Sequence, residues 1–306
     1  MTSINTNVSA MTALQSLSMI NSSLDQTQNR ISTGFRVGAA SDNAAYWSIA
    51  TTMRSDNKAL GAVEDALGLG QAKVDTAYTG MKAAIDVVDE MKSKLVAARE
   101  PGVDKSKIQS ELKELQGQLS SIATSASFSG ENWLSVDSGA AGYTATKSVV
   151  SSFNRAADGT VSVSTIDIDI TSTELFDAAD QTGVLDATFT TGGVGAAVVS
   201  VSTLDITTAG LDDTDIDSMI SAVDTAVQSM TTAASNLGAA KNRMDIQSEF
   251  VSNLRDSIEK GVGTLVDADM TEESTRLKAL QTQQQLGVQA LSIANNSSQS
   301  LLSLFR

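Results

Sequence analysis

Apolar residues recur every three to four positions over most of this chain. From Leu60, positions seven apart read Leu60, Leu67, Val74, Met81, Val88 and Leu95, with Val63, Gly70, Ala77, Ala84, Met91 and Ala98 between them. That is coiled-coil spacing, and it predicts one helix of about forty residues. Glu100-Pro101-Gly102 ends it, because proline lacks the amide proton that a helix uses and glycine loosens the backbone. Ile108, Leu112, Leu115, Leu119, Ile122 and Ala126 predict a second helix that folds back as an antiparallel hairpin. The third stripe is longer: Ile216, Val223, Met230, Leu237, Met244, Val251, Ile258 and Leu265 are all seven apart. A helix of ~50 residues is ~75 Å long. The expected architecture is therefore mostly α, a bundle of long helices with one strand of it from each half of the chain. Its expected core is the Leu60–Leu95 series with Val223, Met230, Leu237, Met244, Val251 and Ile258.

Both ends repeat the period more weakly. The start gives Ile4, Val8, Met11, Leu14, Leu17, Leu24 and Ile31; the end gives Leu277, Leu280, Leu291, Ala294, Leu301 and Phe305, with Gln284, Gly287 and Ser298 filling the remaining places. Charge is nearly missing there. Between Thr2 and Asn29 only Asp25 is charged, and nothing is charged from Ala279 to Phe305. Isolated helices of this kind are marginal. The same uncharged surfaces suit helix–helix packing, since no ion has to leave water. Both ends therefore read as self-association segments, frayed in the lone chain. The expected assembly contacts are Ile4, Val8, Met11, Leu17, Leu24, Ile31, Leu280, Leu291, Leu301, Leu304 and Phe305.

The middle, roughly 128–210, changes period. Val161 and Val163, then Ile166, Ile168 and Ile170, alternate with Ser, Thr and Asp, which is strand spacing. Asp158-Gly159 and Gly192-Gly193 are turn pairs by type. A small β-rich insertion is expected, with valine and isoleucine inside.

Composition removes most catalytic chemistry. The 306 residues include no Cys and no His. Disulfides, thiol nucleophiles, Ser-His-Asp triads and imidazole metal sites are excluded, and no enzyme, cofactor or metal is expected. The net charge is −15, so nucleic acid is not an expected partner. Residues 140–240 hold 2 basic and 13 acidic groups, a net −11, which suits exposure to water. No membrane span is expected, because no stretch approaches the ~18 apolar residues required. The first basic residue is Arg30, so no cleaved secretory signal is expected either.

Several residues invite sharper readings. Asp212, Asp213, Asp215 and Asp217 resemble a calcium loop, but from Asp213 the sixth and twelfth positions are Ser218 and Asp224, not Gly and Glu. Capping of the third helix is the expected role. Asp167 and Asp169 fall on the solvent face of a strand. Tyr46, Trp47 and Trp133 are expected as packing anchors in an aromatic-poor chain, some of it between copies.

Two stretches carry a resemblance. Asn29-Arg30-Ile31-Ser32-Thr33-Gly34-Phe35-Arg36-Val37, followed by Ser41-Asp42-Asn43-Ala44-Ala45, resembles the N-terminal signature of bacterial flagellins. Asp267-Ala268-Asp269-Met270-Thr271-Glu272-Glu273 and the ending Gln299-Ser300-Leu301-Leu302-Ser303-Leu304-Phe305-Arg306 resemble the C-terminal signature. The short middle is similar to the compact flagellins of rhizobium-like α-proteobacteria. One departure is local: Tyr46-Trp47 follows Ala44-Ala45 where the family has glycine. The resemblance implies a structural subunit of the flagellar filament, secreted by type III export and polymerising with itself and other flagellins. It implies an export apparatus, an export chaperone, a filament cap and hook-associated proteins as further partners. It also implies that 1–42 and 267–306 form an inner terminal-helix domain, that 43–140 and 210–266 form a rod-like domain with a β-hairpin, and that 141–209 are an outer insertion. A hook–filament junction protein, or an adhesin displaying the insertion, are the alternatives of other classes.

Overall fold

The computed structural model describes residues 7–304, with side chains through residue 296. The expected contacts Ile4 and Phe305 lie outside the described residues, as do the side chains of Leu301 and Leu304. Five helices dominate: α1 (Val8–Thr33), α2 (Ala44–Ala98), α3 (Lys105–Ser125), α4 (Asp213–Val266) and α5 (Met270–Leu304). Between α3 and α4 lie eight strands: β1 (Ser127–Phe128), β2 (Glu131–Asn132), β3 (Ser135–Val136), β4 (Thr146–Arg155), β5 (Val161–Asp169), β6 (Phe176–Asp177), β7 (Phe189–Thr190) and β8 (Val198–Val199). They pair two by two: β1 with β2, β3 with β6, β4 with β5 and β7 with β8. The chain forms two compact units, one of Met1–Lys58 with Arg255–Arg306 and one of Ala59–Leu254.

In the second unit the heptad stripes are the core. Leu60, Leu67, Val74, Met81, Val88 and Leu95 of α2 are buried, and so are Val223, Met230, Leu237, Met244 and Val251 of α4. The intervening positions Ala77, Ala84, Met219, Ala226 and Ala233 are buried too. Polar pairs along the flanks fix the direction. Gln71 donates to Asp245, Lys92 to Asp224 and Arg99 to Asp217, so partners descend along α4 as they ascend along α2. The two helices are antiparallel. Pro101-Gly102 makes the turn into α3, with Gly102 left-handed and Asp104 capping the new helix. Leu112, Leu119 and Ala123 of α3 are buried.

The insertion lies against this bundle. Gly70 of α2 is the clearest contact point: a Cβ there would meet Val149 Cγ1 of β4 at 2.5 Å. Gly68, two residues earlier, has nothing within 4 Å of such a Cβ. The same change should therefore have opposite signs. Gly68→Ala is expected to stabilise by about 1 kcal/mol through helix propensity. Gly70→Ala is expected to destabilise by about 1–2 kcal/mol, because overpacking against a stiff β-branched side chain outweighs that gain. Thermal melts of the two variants check this, and equal shifts would contradict it.

The β4–β5 hairpin corrects one sequence expectation. Ile166, Ile168 and Ile170 are buried, but Val161 and Val163 are half exposed. The parity changes between 163 and 166, and a strand's side chains alternate. Val161 and Val163 therefore share the solvent face with Asp167 and Asp169.

Buried carboxylates pin the insertion's loops. Asp177 accepts from Ser138 N at 3.0 Å, Ser138 Oγ at 2.6 Å, Ala179 N at 3.1 Å and Thr182 Oγ1 at 2.9 Å. These donors hold it well below the usual carboxylate range. Asp215, in the first turn of α4, accepts from Gly193 N at 3.0 Å and Gly195 N at 3.1 Å. Its pKa is pulled down to about 2, chiefly by the Thr191 hydroxyl. Glu174 goes the other way: burial pushes its carboxyl up, and Tyr143, itself raised to about 12, donates to it. The signs follow from linkage. Asp177 and Asp215 contribute stability above about pH 4, and that contribution is lost as pH falls toward 2. Glu174 takes up its proton more readily when folded, and the cost of its burial is relieved as pH falls to the ordinary carboxylate value, before the loss at Asp177 and Asp215 sets in. Melting of the second unit is expected to weaken between pH 4 and pH 2; an unchanged melt across that window would contradict the pinning role.

Candidate assembly surface

The first unit is built around the paired chain ends. Asn7 caps α1 by accepting from Ala10 N, and its amide donates to Ala294 O of α5 at 3.0 Å. Further along, Gln284 donates to Asn21 at 2.8 Å and Arg30 to Glu273 at 3.1 Å, so α1 and α5 run antiparallel. At Gly287 a Cβ would stand 3.3 Å from Leu17 Cδ1, so the Leu17 side chain seats on the bare helix surface there. Over the described residues α1 and α5 are continuous helices. Each helix covers the other's apolar stripe, and that contact replaces the missing intrinsic stability.

The helix pair sorts the expected contacts into two groups. On α5 the half-buried positions are Leu277, Leu280, Gln284, Gly287, Leu291 and Ala294, the 3-4 series read from the sequence. On α1 they are Ala10, Ala13, Leu17, Ile20 and Ile31, with Leu24 and Thr27 buried. Leu17, Leu24, Ile31, Leu280 and Leu291 thus lie in the seam within one chain. Val8 and Met11 do not: they are 67% and 66% exposed. With Leu14, Met19 and the polar Thr12, Gln15 and Ser18 they line an open groove of about 610 Å³. Leu286, Val288 and Ile293 of α5 are exposed as well. Sequence reading missed Met19, Leu286, Val288 and Ile293. The signal was there, as large apolar residues off the main stripe in a charge-free segment.

The two signature stretches meet in space. Gly34 takes the left-handed conformation that ends α1 and donates back to Arg30 O. Phe35 bridges to Asp267, Arg36 and Val37 donate to Val266 O, and Ala268 donates to Gly34 O. Val37, Ala50, Val262 and Val266 form a small core, with Phe35, Ile258 and Leu265 packed on it. Ile258, expected in the rod core, is only half-buried and belongs to this cluster. Arg54 stacks over the Phe35 ring at 4.5 Å. Asp269 caps α5 by accepting from Thr271 N and Glu272 N, and the Thr271 hydroxyl leads in lowering its pKa. Glu273 is buried against Arg30.

The three singled-out aromatics divide within one chain. Trp133 is buried and acts as an anchor. Tyr46 and Trp47 are 42% and 38% exposed, and the first residue of α2 to be buried is Ala50. Asp212 caps α4 by accepting from Thr214 N and Asp215 N, and Asp217 pairs with Arg99 at 2.8 Å. Among the described residues no group of three or more carboxylates is arranged as a metal site. No described helix is long and apolar enough to cross a membrane.

Long antiparallel helices, paired chain ends, an uncharged exposed groove and a β-rich insertion define a structural protein that packs with copies of itself. Residues 4–138 match the model of the bacterial flagellin N-terminal helical region, and residues 220–305 match that of the C-terminal helical region. The chain is 54% identical to flagellin C of Rhizobium meliloti (strain 1021) and 50% identical to a flagellin of Brucella melitensis, covering all of each chain in both cases. A solved flagellin from Bacillus cereus aligns at a TM-score of 0.40 and 18% identity over 62% of this chain and 88% of that one. The chain belongs to the bacterial flagellin family. It is a structural filament subunit and not an enzyme.

Proposed function

We propose that filament growth runs on the faces of α1 and α5 that their mutual seam leaves open. Val8, Met11, Leu14 and Met19 of one copy pack against copies of the chain, with Leu286, Val288 and Ile293 as the second apolar surface. Leu17, Leu24, Ile31, Leu280 and Leu291 act earlier, by holding each subunit's two ends together as one docking body. The observation that carries this reading is the exposed apolar groove in a segment whose only charge is Asp25. A groove of that kind loses nothing to desolvation of ions when a copy covers it. Ile4, Leu301, Leu304 and Phe305 belong to the same uncharged stretches of sequence and are further contacts in this reading. A contact between unlike faces propagates without closing, which makes a filament.

In this reading 1–42 with 267–306 form the inner layer, 43–140 with 210–266 the next, and 141–209 the outer insertion. The chain leaves the cell through the flagellar type III apparatus with a chaperone, and it adds to the filament under a cap, above hook-associated proteins. Family membership supports those partners, and a chain without cysteine suits export in an unfolded form.

The absence of cysteine also supplies the test. Met11→Cys places a single thiol in the groove. Maleimide should label it rapidly in the monomer and slowly in filaments. Filaments whose thiol reacts at the monomer rate would remove α1's open face from the interface.

A further inference from the structure

We propose that the first turns of α2 form a second self-docking element, a preformed apolar knob carrying Tyr46, Trp47, Ile49 and Met53 that seats on another copy of this chain. The proposal rests on the assembly reading above and adds a contact that the terminal-helix groove does not include.

The local structure is unusual in one respect. Residues 38–49 are all exposed, so the opening of α2 has no buried side until Ala50. An unsupported helix end of this kind ordinarily frays. Here it is held by its own caps. Asn43 Oδ1 accepts from Ala45 N and Tyr46 N at 3.1 Å each, and Asp42 Oδ2 accepts from Gly38 N and Ala39 N at 3.0 Å each. The segment is therefore ordered by its own hydrogen bonds while its large side chains stay partly open to solvent. What it presents is apolar and large: Tyr46, Trp47 and Ile49 are 42%, 38% and 47% exposed. In a chain with 3 Tyr and 2 Trp, a tyrosine and a tryptophan side by side in solvent form a concentrated apolar surface. Large rigid aromatics are the side chains that carry interface energy at small ordering cost.

Charge selects the occupant. From Val37 to Met53 the only ion is Asp42, and its carboxylate is engaged by Gly38 and Ala39. A knob of this kind needs a partner surface with no ion to desolvate. On an acidic chain of net charge −15 such surfaces are scarce. The terminal helices of a second copy supply them, with one charge between Thr2 and Asn29, none from Ala279 to Phe305, and exposed Leu286, Val288 and Ile293. A subunit that polymerises presents those surfaces at every step.

Tryptophan fluorescence tests the idea directly, because Trp133 is 2% exposed and only Trp47 is open to solvent. Acrylamide should quench part of the monomer emission, and Trp47→Phe should remove that quenchable part. In filaments verified by electron microscopy, the quenchable part should largely disappear and the emission should shift to the blue. Filaments that keep the full monomer quenching would overturn the proposal while leaving self-assembly intact. Trp47→Asp provides an independent measurement, since the side chain lies on the exposed part of α2 and the helical content by circular dichroism should be unchanged. It should raise the critical concentration for assembly about tenfold or more, with Trp47→Phe close to the parent chain. Assembly of Trp47→Asp at the parent concentration would also overturn it. A chain that stays monomeric in every seeded condition overturns the assembly reading and this proposal together.

Discussion

Met11→Asp should abolish filament growth at concentrations where the parent chain assembles, and should leave the monomer folded. Met11 is 66% exposed, so the monomer loses almost nothing when its side chain changes. In the proposed filament contact the same position is covered, and an unpaired carboxylate there would have to be desolvated. A rise of about 100-fold in critical concentration corresponds to about 2.7 kcal/mol per subunit, a modest share of the cost of burying a lone ion. Seeded sedimentation measures it. Leu14→Asp should behave alike, because both residues line the same groove. Normal growth with circular dichroism unchanged would place the assembly contacts elsewhere.

Met81→Asp should have the opposite profile and lose the fold itself. Met81 is fully buried on α2, in the same seam as Val74, Ala77, Ala84 and Val88, none of them more than 2% exposed. An unpaired carboxylate in that apolar seam costs about 4–5 kcal/mol or more. That is comparable with the whole stability of a domain. Urea unfolding followed by Trp133 emission should show the second unit open at concentrations where the parent stays folded. Met81→Leu keeps the volume and should cost less than about 1.5 kcal/mol. A Met81→Asp chain with the parent's midpoint would contradict the heptad core.

These two residues also mark how far the sequence could be read. Met81 was legible because its stripe holds one period across six heptad positions, and a helix buries such a stripe along a single line. Met11 was only half legible. Val8, Met11 and Leu14 continue the period of Leu17 and Leu24 when large residues alone are counted. The seam with α5 instead follows Ala10, Ala13, Leu17 and Ile20, with Leu17 and Ile20 reaching Gly287. Alanine carries little weight in a hydrophobic pattern, so the seam and the open face looked like one surface. The expectation of frayed ends weighed each helix without the other.

The insertion shows a different limit. Ile166, Ile168 and Ile170 were legible from alternation, but Val161 and Val163 have the opposite parity and point to solvent. The carboxylate clamps were invisible. Asp177 meets Ser138 across 39 residues and Asp215 meets Gly193 across 22, and no local spacing encodes such contacts. The flagellin signatures were legible as text, and the structure supplies their physics: a left-handed Gly34 that stops α1, Phe35 under Arg54, and Glu273 buried against Arg30.

The central claim is that this chain assembles with itself through uncharged surfaces of its first and last helices. Electron microscopy of the purified, depolymerised chain after addition of short filament seeds tests it most directly. The account predicts long filaments of uniform diameter from the parent chain and bare seeds from Met11→Asp under the same conditions. A parent chain that remains monomeric with both ends intact by mass spectrometry, or a Met11→Asp chain that elongates seeds normally, would contradict it.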